Sequence, residues 1–383
     1  MIVNIADLRE AARRRLPNAV FDYLEGTADD GVTARDNLAA FTEVAFRPRQ
    51  ALRCAPDLRK EVLGMEIAMP VLLSPIGYCR LLHHHGDLAV ARAARKAGVP
   101  FIQATGSGYA MEDVQAIGGQ LYFQVYNMGG RAATERALAR ARRLGFAGIF
   151  VTVDTPVSGN RERDPRNGMP ALMGQRLLPK LPYVGEVLAH PGWLIPFLLD
   201  GGVPAMPNVV GEDGRPLPAP DVTQALAKAN ICWGDLGWIR KAWDGPIIVK
   251  GLMRADDALR ALEEGADGVV ISNHGGRQLD TVAGTLRVLP GIAEAVKGRM
   301  TVFVDGGIRR GQDIAKALCL GADAVLVGRA YGYGLAAAGE RGVTQALDIL
   351  RADLTRTLTL LGAASVRELG PGFVHIKDGF RVD

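Results

Sequence analysis

Gly265-Ala266-Asp267-Gly268-Val269-Val270-Ile271 decides the architecture, because it joins a helix stop, a short loop and a buried strand within one short run. Two relatives of it recur in the chain, Gly145-Phe146-Ala147-Gly148-Ile149 and Gly321-Ala322-Asp323-Ala324-Val325. Amphipathic stretches precede all three, over Thr134–Leu144, Ala255–Glu264 and Gln312–Leu320, and Asp87–Lys96 likewise runs into Gly98. Glycine stops a helix there because it adopts the left-handed conformation without a Cβ penalty. The strand part of the repeat is apolar without alternation. Similar runs are Val71-Leu72-Leu73, Val99-Pro100-Phe101-Ile102, Leu121-Tyr122-Phe123, Ile149-Phe150-Val151, Ile247-Ile248-Val249, Val302-Phe303-Val304 and Val325-Leu326-Val327. Continuous apolarity is what a parallel strand covered on both faces requires. Eight strand-then-helix units predict an α/β protein of the (β/α)₈ TIM-barrel class. An open doubly wound sheet is the alternative, since periodicity alone does not prove closure.

Around this repeat the chain reads as one domain, 1–383. Residues 1–65 form an N-terminal segment expected to be helical, for example over Ile5–Leu16 and Val20–Glu25, and 66–362 form the barrel. Residues 165–231 break the rhythm after the fourth strand. They are rich in Pro and Gly and hold an apolar knot, Trp193-Leu194-Ile195-Pro196-Phe197-Leu198-Leu199, near Arg176 and Lys180. An insertion at that point sits over the active face of a barrel as a lid. Its apolar and basic groups also suit peripheral contact with a membrane surface through 185–205.

Composition narrows the class. Of 383 residues 48% are hydrophobic and 22% charged, and the net charge is only +4. Without a lysine- and arginine-rich block, nucleic acid is excluded as the expected partner and local anion sites are favoured. Cys54, Cys79, Cys232 and Cys319 show neither paired nor metal-like spacing, as expected of idle thiols in a reducing compartment. The start Met1-Ile2-Val3-Asn4-Ile5-Ala6-Asp7 lacks a basic segment followed by an apolar one, and no apolar run reaches the ~20 residues that span a bilayer. The expected location is cytoplasmic, peripheral on the inner face of the cell membrane.

Catalytic groups of a barrel gather at the C-terminal ends of its strands. Here the third strand ends in Gln124 and Tyr126, the fourth in Thr152 and Asp154, and the fifth in Lys250. The sixth runs into Ser272-Asn273-His274-Gly275-Gly276-Arg277-Gln278-Leu279-Asp280, the seventh into Asp305-Gly306-Gly307-Ile308-Arg309, and the eighth into Gly328-Arg329. An imidazole beside a guanidinium moves a proton and holds an anion at neutral pH. The glycines of the last two ends let backbone N–H groups approach a phosphate, and Arg309 and Arg329 add forked donors. A phosphate-bearing cofactor across the barrel mouth is therefore expected, with Lys250 placed to stabilise negative charge on its reactive ring. No Gly-x-Gly-x-x-Gly follows the early strands, which argues against a nicotinamide site. His83-His84-His85 is read as a solvent-exposed loop without a metal, on the ground that adjacent histidines do not all face one ion.

The run Ser272–Asp280, together with Asp305-Gly306-Gly307-Ile308-Arg309-Arg310-Gly311 and Thr152-Val153-Asp154-Thr155-Pro156, resembles the FMN-dependent α-hydroxy acid oxidases and dehydrogenases. The likeness extends from Phe21-Asp22-Tyr23 to the C-terminal helix. Within the family, Trp243–Gly251 and the long insertion look most like bacterial membrane-associated L-lactate dehydrogenases. The resemblance implies FMN, oxidation of an (S)-2-hydroxy acid such as L-lactate, mandelate or a larger relative to its 2-oxo acid, and a quinone or similar acceptor; oxygen, giving peroxide, is the alternative. It implies His274 as base, Asp154 as its partner, Tyr126 on the substrate hydroxyl, and Arg277, Tyr23 and Arg161 on the substrate carboxylate. On the flavin it implies Pro75, Ile76, Gly77, Gln124, Thr152, Ser272 and Lys250. Gly307, Arg309, Gly328 and Arg329 fall on the phosphate, with Asp305, Gly306 and Ile308 in the same loop. It further implies a homo-oligomer, a tetramer. Gly77 stands where oxidases often carry alanine, which favours an acceptor other than oxygen. Ala104 replaces a family serine, with Thr105 beside it expected to compensate, and Gly106 leaves room for a large substrate side chain.

Overall fold

In the computed structural model, which describes residues 1–53, 55–174, 176–210, 215–217 and 229–382, the predicted runs close into one parallel barrel. We number its strands β1 (Val71–Leu73), β2 (Phe101–Ala104), β3 (Leu121–Val125), β4 (Gly148–Thr152), β5 (Ile247–Leu252), β6 (Gly268–Ile271), β7 (Thr301–Val304) and β8 (Ala324–Val327). Closure is made by β8 on β1, with Val325 opposite Val71, Leu326 opposite Leu72 and Val327 opposite Leu73. The open sheet is thereby ruled out. β4 pairs β5 directly, Ile247 opposite Ile149, so everything between them is excluded from the barrel wall.

Each strand sends a side chain inward. Leu72, Ile102, Tyr122, Phe150, Ile248, Val270, Phe303 and Leu326 form an interior cluster. Tyr122 meets Phe150 edge-on at 5.5 Å between ring centroids. Burial of each such side chain contributes roughly 1.5–3 kcal/mol, so the interior is a packed core. The other face of each strand packs under helices such as Gly86–Ala97, Gly130–Arg143, Ala255–Glu263 and Gly311–Cys319, close to the predicted boundaries.

The N-terminal segment departs from the all-helical expectation. Helices do occupy Ile5–Arg15, Asn18–Glu25 and Val32–Thr42. After them, Val44–Phe46 pairs antiparallel with Val374–Ile376, and Lys60–Val62 forms a hairpin with Met65–Ile67. Leu63 and Gly64 both take positive φ, the geometry of a two-residue hairpin turn that matches strand twist. Val62 and Ile67 join the interior cluster, so the hairpin is the floor of the barrel. Two short strands whose alternate residues face one core cannot be helical there.

The insertion is built of short pieces, Arg163–Arg166, Met169–Met173, Leu178–Tyr183, Val184–Leu188, Pro191–Leu199 and a strand Met206–Val210 paired with Pro216–Leu217. Cys54 and parts of the predicted insertion lie outside the described residues. Pro191–Leu199 is pinned to the loop after β1. Trp193 Nε1 donates to Leu81 O at 2.7 Å, and Arg80 grips Asp200 through Oδ2 and the carbonyl. Among the described residues no helix is long and apolar enough to cross a membrane. The same loop corrects the reading of the histidine triplet. His83 and His84 are half-buried and only His85 is exposed, and one ring nitrogen of each comes within 4.8 Å of the others.

Candidate functional site

At the C-terminal end of the barrel a cavity of about 800 Å³ opens, lined by residues from every strand end together with Tyr23 and the insertion. Its most constrained wall is the β6 loop. His274, Gly275 and Gly276 all take positive φ, +57°, +65° and +73°. For histidine this is a strained conformation, held only where surroundings over-determine it. Three supports do so. Ser272 Oγ accepts the His274 N–H at 3.1 Å. Asn273 and Asn37 exchange reciprocal amide hydrogen bonds at 2.9 Å. Asp280 accepts from the N–H groups of Val32 and Thr33 at the start of the third helix, so the N-terminal segment clamps the loop from outside.

Opposite His274 stands Asp154 at the end of β4. Its two oxygens lie 3.0 and 3.1 Å from His274 Nδ1. A carboxylate only accepts, so Nδ1 carries the proton and Nε2 is the free base of the ring. Burial lowers the His274 pKa more than Asp154 raises it, so the imidazole rests neutral. Burial also pushes Asp154 up, but His274 and Lys250 outweigh it and hold the carboxyl below its ordinary range. Asp154 itself is behind the cavity wall, whereas the open surface of His274 faces the cavity.

Beside this pair, Arg277, Arg161, Tyr23 and Tyr126 line the same space. Arg277 Nη1 donates to Gly26 O at 2.8 Å and its guanidinium stands over the Tyr23 ring at 5.5 Å. Burial first, then Arg161 and Arg329, press its pKa down to about 9. A guanidinium stays charged in proteins, and the nearby Asp164 carboxyl only partly offsets the crowding of positive charge here. Arg161 Nε is buried without a hydrogen-bond partner. Tyr23 Oη donates to Gly77 O at 3.0 Å, and burial raises the pKa of both tyrosines.

The remaining expected residues fall into two layers. Pro75, Ile76, Gly77, Gln124, Thr152, Lys250, Asp305, Gly306, Gly307, Ile308, Arg309, Gly328 and Arg329 line the cavity. Lys250 Nζ is 2.8 Å from Ser272 Oγ and 3.1 Å from Asp305 Oδ2. Burial lowers its pKa, but Asp305 and Asp154 outweigh that and keep the ammonium charged. Gln124 Nε2 donates to Thr152 Oγ1 at 3.0 Å. Ser272 is fully buried, and its Oγ accepts from Lys250 Nζ and the His274 N–H, so it positions both groups while its own O–H is left for a cofactor acceptor. Thr105 does not compensate for Ala104: its hydroxyl donates to Gln124 O at 2.5 Å and is not part of the cavity wall.

Several contributors were not legible in the sequence. Gln278 ties the β4 and β6 loops together, its Nε2 donating to Asp154 O and Val157 O at 2.9 Å and its Oε1 accepting the Gly159 N–H. Met169, Pro170 and Met173 of the insertion wall the cavity, as does Asp164, whose Oδ1 is buried without a partner. Met169 and Met173 sit one helical turn apart, the only sequence signal for them.

The donor set fits a flavin mononucleotide. Among the described residues Arg309 donates to the preceding Ile308 carbonyl and stands over the Tyr333 ring, and it lies beside Gly306 and Gly307, both with positive φ, at the end that would take the phosphate. Arg329 spends three N–H groups on Leu24 O, Gly275 O and Gly26 O and keeps two. A charged lysine, a glutamine amide and a threonine hydroxyl line the other end, where a ring with several acceptors would lie. Fold and site together define a (β/α)₈ barrel whose mouth holds a buried histidine–carboxylate pair beside donors suited to a phosphate-bearing cofactor. A family model described as "FMN-dependent dehydrogenase" matches residues 12–376. The chain belongs to that family; its cofactor is FMN and it acts on CH–OH donors.

Among curated proteins it is 40% identical over 378 residues to L-lactate dehydrogenase of Pectobacterium atrosepticum, covering 96% of each chain. A solved structure of the monotopic membrane protein (S)-mandelate dehydrogenase superposes with a TM-score of 0.92 at 38% identity, covering 98% of this chain and 100% of the other. Mandelate oxidase follows with a TM-score of 0.82 at 36% identity, covering 98% and 99%.

Proposed function

We propose that this chain, acting as one unit over 1–383, oxidises an (S)-2-hydroxy acid with a small or aromatic side chain, of the lactate or mandelate kind, to the 2-oxo acid, and passes the electrons to a quinone. The observation that carries the reading is His274, backed by Asp154, facing the same cavity as Arg277 and Arg161. Bound FMN supplies the two-electron acceptor for the substrate. Arg277 and Arg161 bind the substrate carboxylate, whose charge offsets the positive charge gathered there. Tyr23 turns its hydroxyl from Gly77 O to the same carboxylate, and Tyr126 orients the substrate hydroxyl. His274 Nε2 then takes the proton released on oxidation, and Asp154 stabilises the imidazolium. Lys250, kept charged by Asp305 and Asp154, offsets negative charge that builds up on the cofactor side.

Peripheral membrane docking belongs to the same proposal. Leu198 and Leu199 are 61% and 84% exposed on the pinned helix Pro191–Leu199, and Leu177 and Leu178 add 77% and 78%. This apolar surface begins upstream of the 185–205 stretch, and the likeness to a monotopic membrane protein supports the same reading.

Anaerobic mixing of the FMN-loaded protein with L-lactate, (S)-mandelate and longer 2-hydroxy acids tests the reaction. At least one should bleach the flavin, and no bleaching by any of them rejects the reading. Reoxidation by a soluble quinone should outrun reoxidation by air; peroxide formed at the rate of turnover would make oxygen the acceptor instead.

A further inference from the structure

His83, His84 and His85 take no part in the flavin site, yet the fold gathers them. One nitrogen from each ring lies within 4.8 Å of the other two. Ring centroids are 4.3 Å apart for His83 and His84 and 4.1 Å for His84 and His85. An independent observation points to a missing ligand: His84 Nδ1 is buried and has no hydrogen-bond partner among the described residues. Buried polar atoms rarely go unsatisfied, and each exception calls for a bound species or a function. Nor does any carboxylate pair with these three imidazoles among the described residues, so their nitrogens are not committed to an acid.

We propose that the triplet is a binding site for one late first-row divalent cation, Zn²⁺ or Cu²⁺. Neutral imidazoles select such ions over Mg²⁺ and Ca²⁺, which want oxygen ligands. Zinc sits about 2.0–2.1 Å from imidazole nitrogen, so tetrahedral ligands are roughly 3.4 Å apart. Ring rotations that close the present gap by up to about 1.4 Å satisfy this, and the cost is the stacking of His83 on His84 and the 3.2 Å hydrogen bond from the His85 N–H to His83 Nδ1. Exposed His85 is the entry side and leaves a coordination position for water. The ion would brace the loop between Pro75–Gly77 and the helix Gly86–Ala97, at the place where Trp193 of the insertion docks.

The test is calorimetric titration of chelator-washed, FMN-loaded protein with ZnCl₂, CuCl₂ and MgCl₂. One equivalent of Zn²⁺ and of Cu²⁺ should bind, and no Mg²⁺. His85→Ala and His84→Ala should each weaken binding at least tenfold while keeping the flavin spectrum of the parent, and His190→Ala should change nothing. Absence of stoichiometric Zn²⁺ and Cu²⁺ binding to the parent, equal uptake of Mg²⁺, or full binding by the His84→Ala/His85→Ala double variant overturns the site.

Discussion

Replacing Asp154 by asparagine is the sharpest probe of the proton-transfer step. The change is nearly isosteric and keeps the loop contacts made by the Asp154 carbonyl, including the bond from Gln278. Two effects follow from the geometry. The imidazolium that forms on His274 loses a carboxylate 3.0 Å away. At an effective dielectric of about 20, opposite charges about 4 Å apart attract by roughly 4 kcal/mol, and a hydrogen bond to a charged group is worth about 1.5–3 kcal/mol. A loss of roughly 3–4 kcal/mol in the transition state corresponds to a fall of about 10²–10³ in rate. In addition, the asparagine amide can donate to Nδ1, which places the proton on Nε2 and removes the base altogether. Anaerobic stopped-flow mixing with the best substrate reads the flavin reduction rate directly, and a substrate Kd from the same traces reports on binding. The rate should drop at least a hundredfold with Kd changed by less than about threefold. A reduction rate within tenfold of the parent would refute the assignment of Asp154 and His274 as a working pair.

Other consequences are open to measurement. Because burial depresses the His274 pKa, the neutral base persists as pH falls past about 6.5, the ordinary imidazole value; flavin reduction should be flat at neutral pH and fail only below that value, and an acid limb centred above it would contradict the resting state. Asn37→Ala removes both hydrogen bonds between Asn37 and Asn273 and the acceptor of the buried Thr285 N–H, costing about 1–3 kcal/mol; a thermal melt should show a drop of several degrees, and an unchanged melting point would deny the N-terminal segment its clamping role. Leu198→Asp with Leu199→Asp should abolish sedimentation with lipid vesicles while leaving flavin reduction at the parent rate; retained sedimentation would move the docking surface elsewhere.

The barrel was legible because its signals are local and repeated: apolar runs such as Val269–Ile271 preceded by a glycine stop recur along the chain, and each became a strand. The polar strand ends were legible for the same reason, since barrel topology alone sends them to one mouth. What stayed hidden depends on contacts distant in sequence. Nothing in Lys60–Ile67 announces a floor for the barrel until Val62 and Ile67 meet the interior. Ser272 reads as a cofactor ligand, and its second task, accepting from Lys250 and the His274 N–H, shows only once the loop is folded. The histidine triplet reads as exposed until the insertion and the C-terminal helix cover it, His83 lying against Gly339 at the kink of Arg329–Leu361. Asn37 gives no hint of its task, because its partner is more than two hundred residues away.

The hairpin at Lys60–Ile67 has a kinetic consequence. A vessel stoppered at one end has a single doorway, and both reactants of this enzyme must use it. On the proposed function, hydroxy acid and electron carrier would then use the cavity by turns, and the expected kinetics are alternating, ping-pong turnover with parallel double-reciprocal plots. Crowding of the doorway by the first reactant should then slow the second, so excess hydroxy acid competes with the carrier.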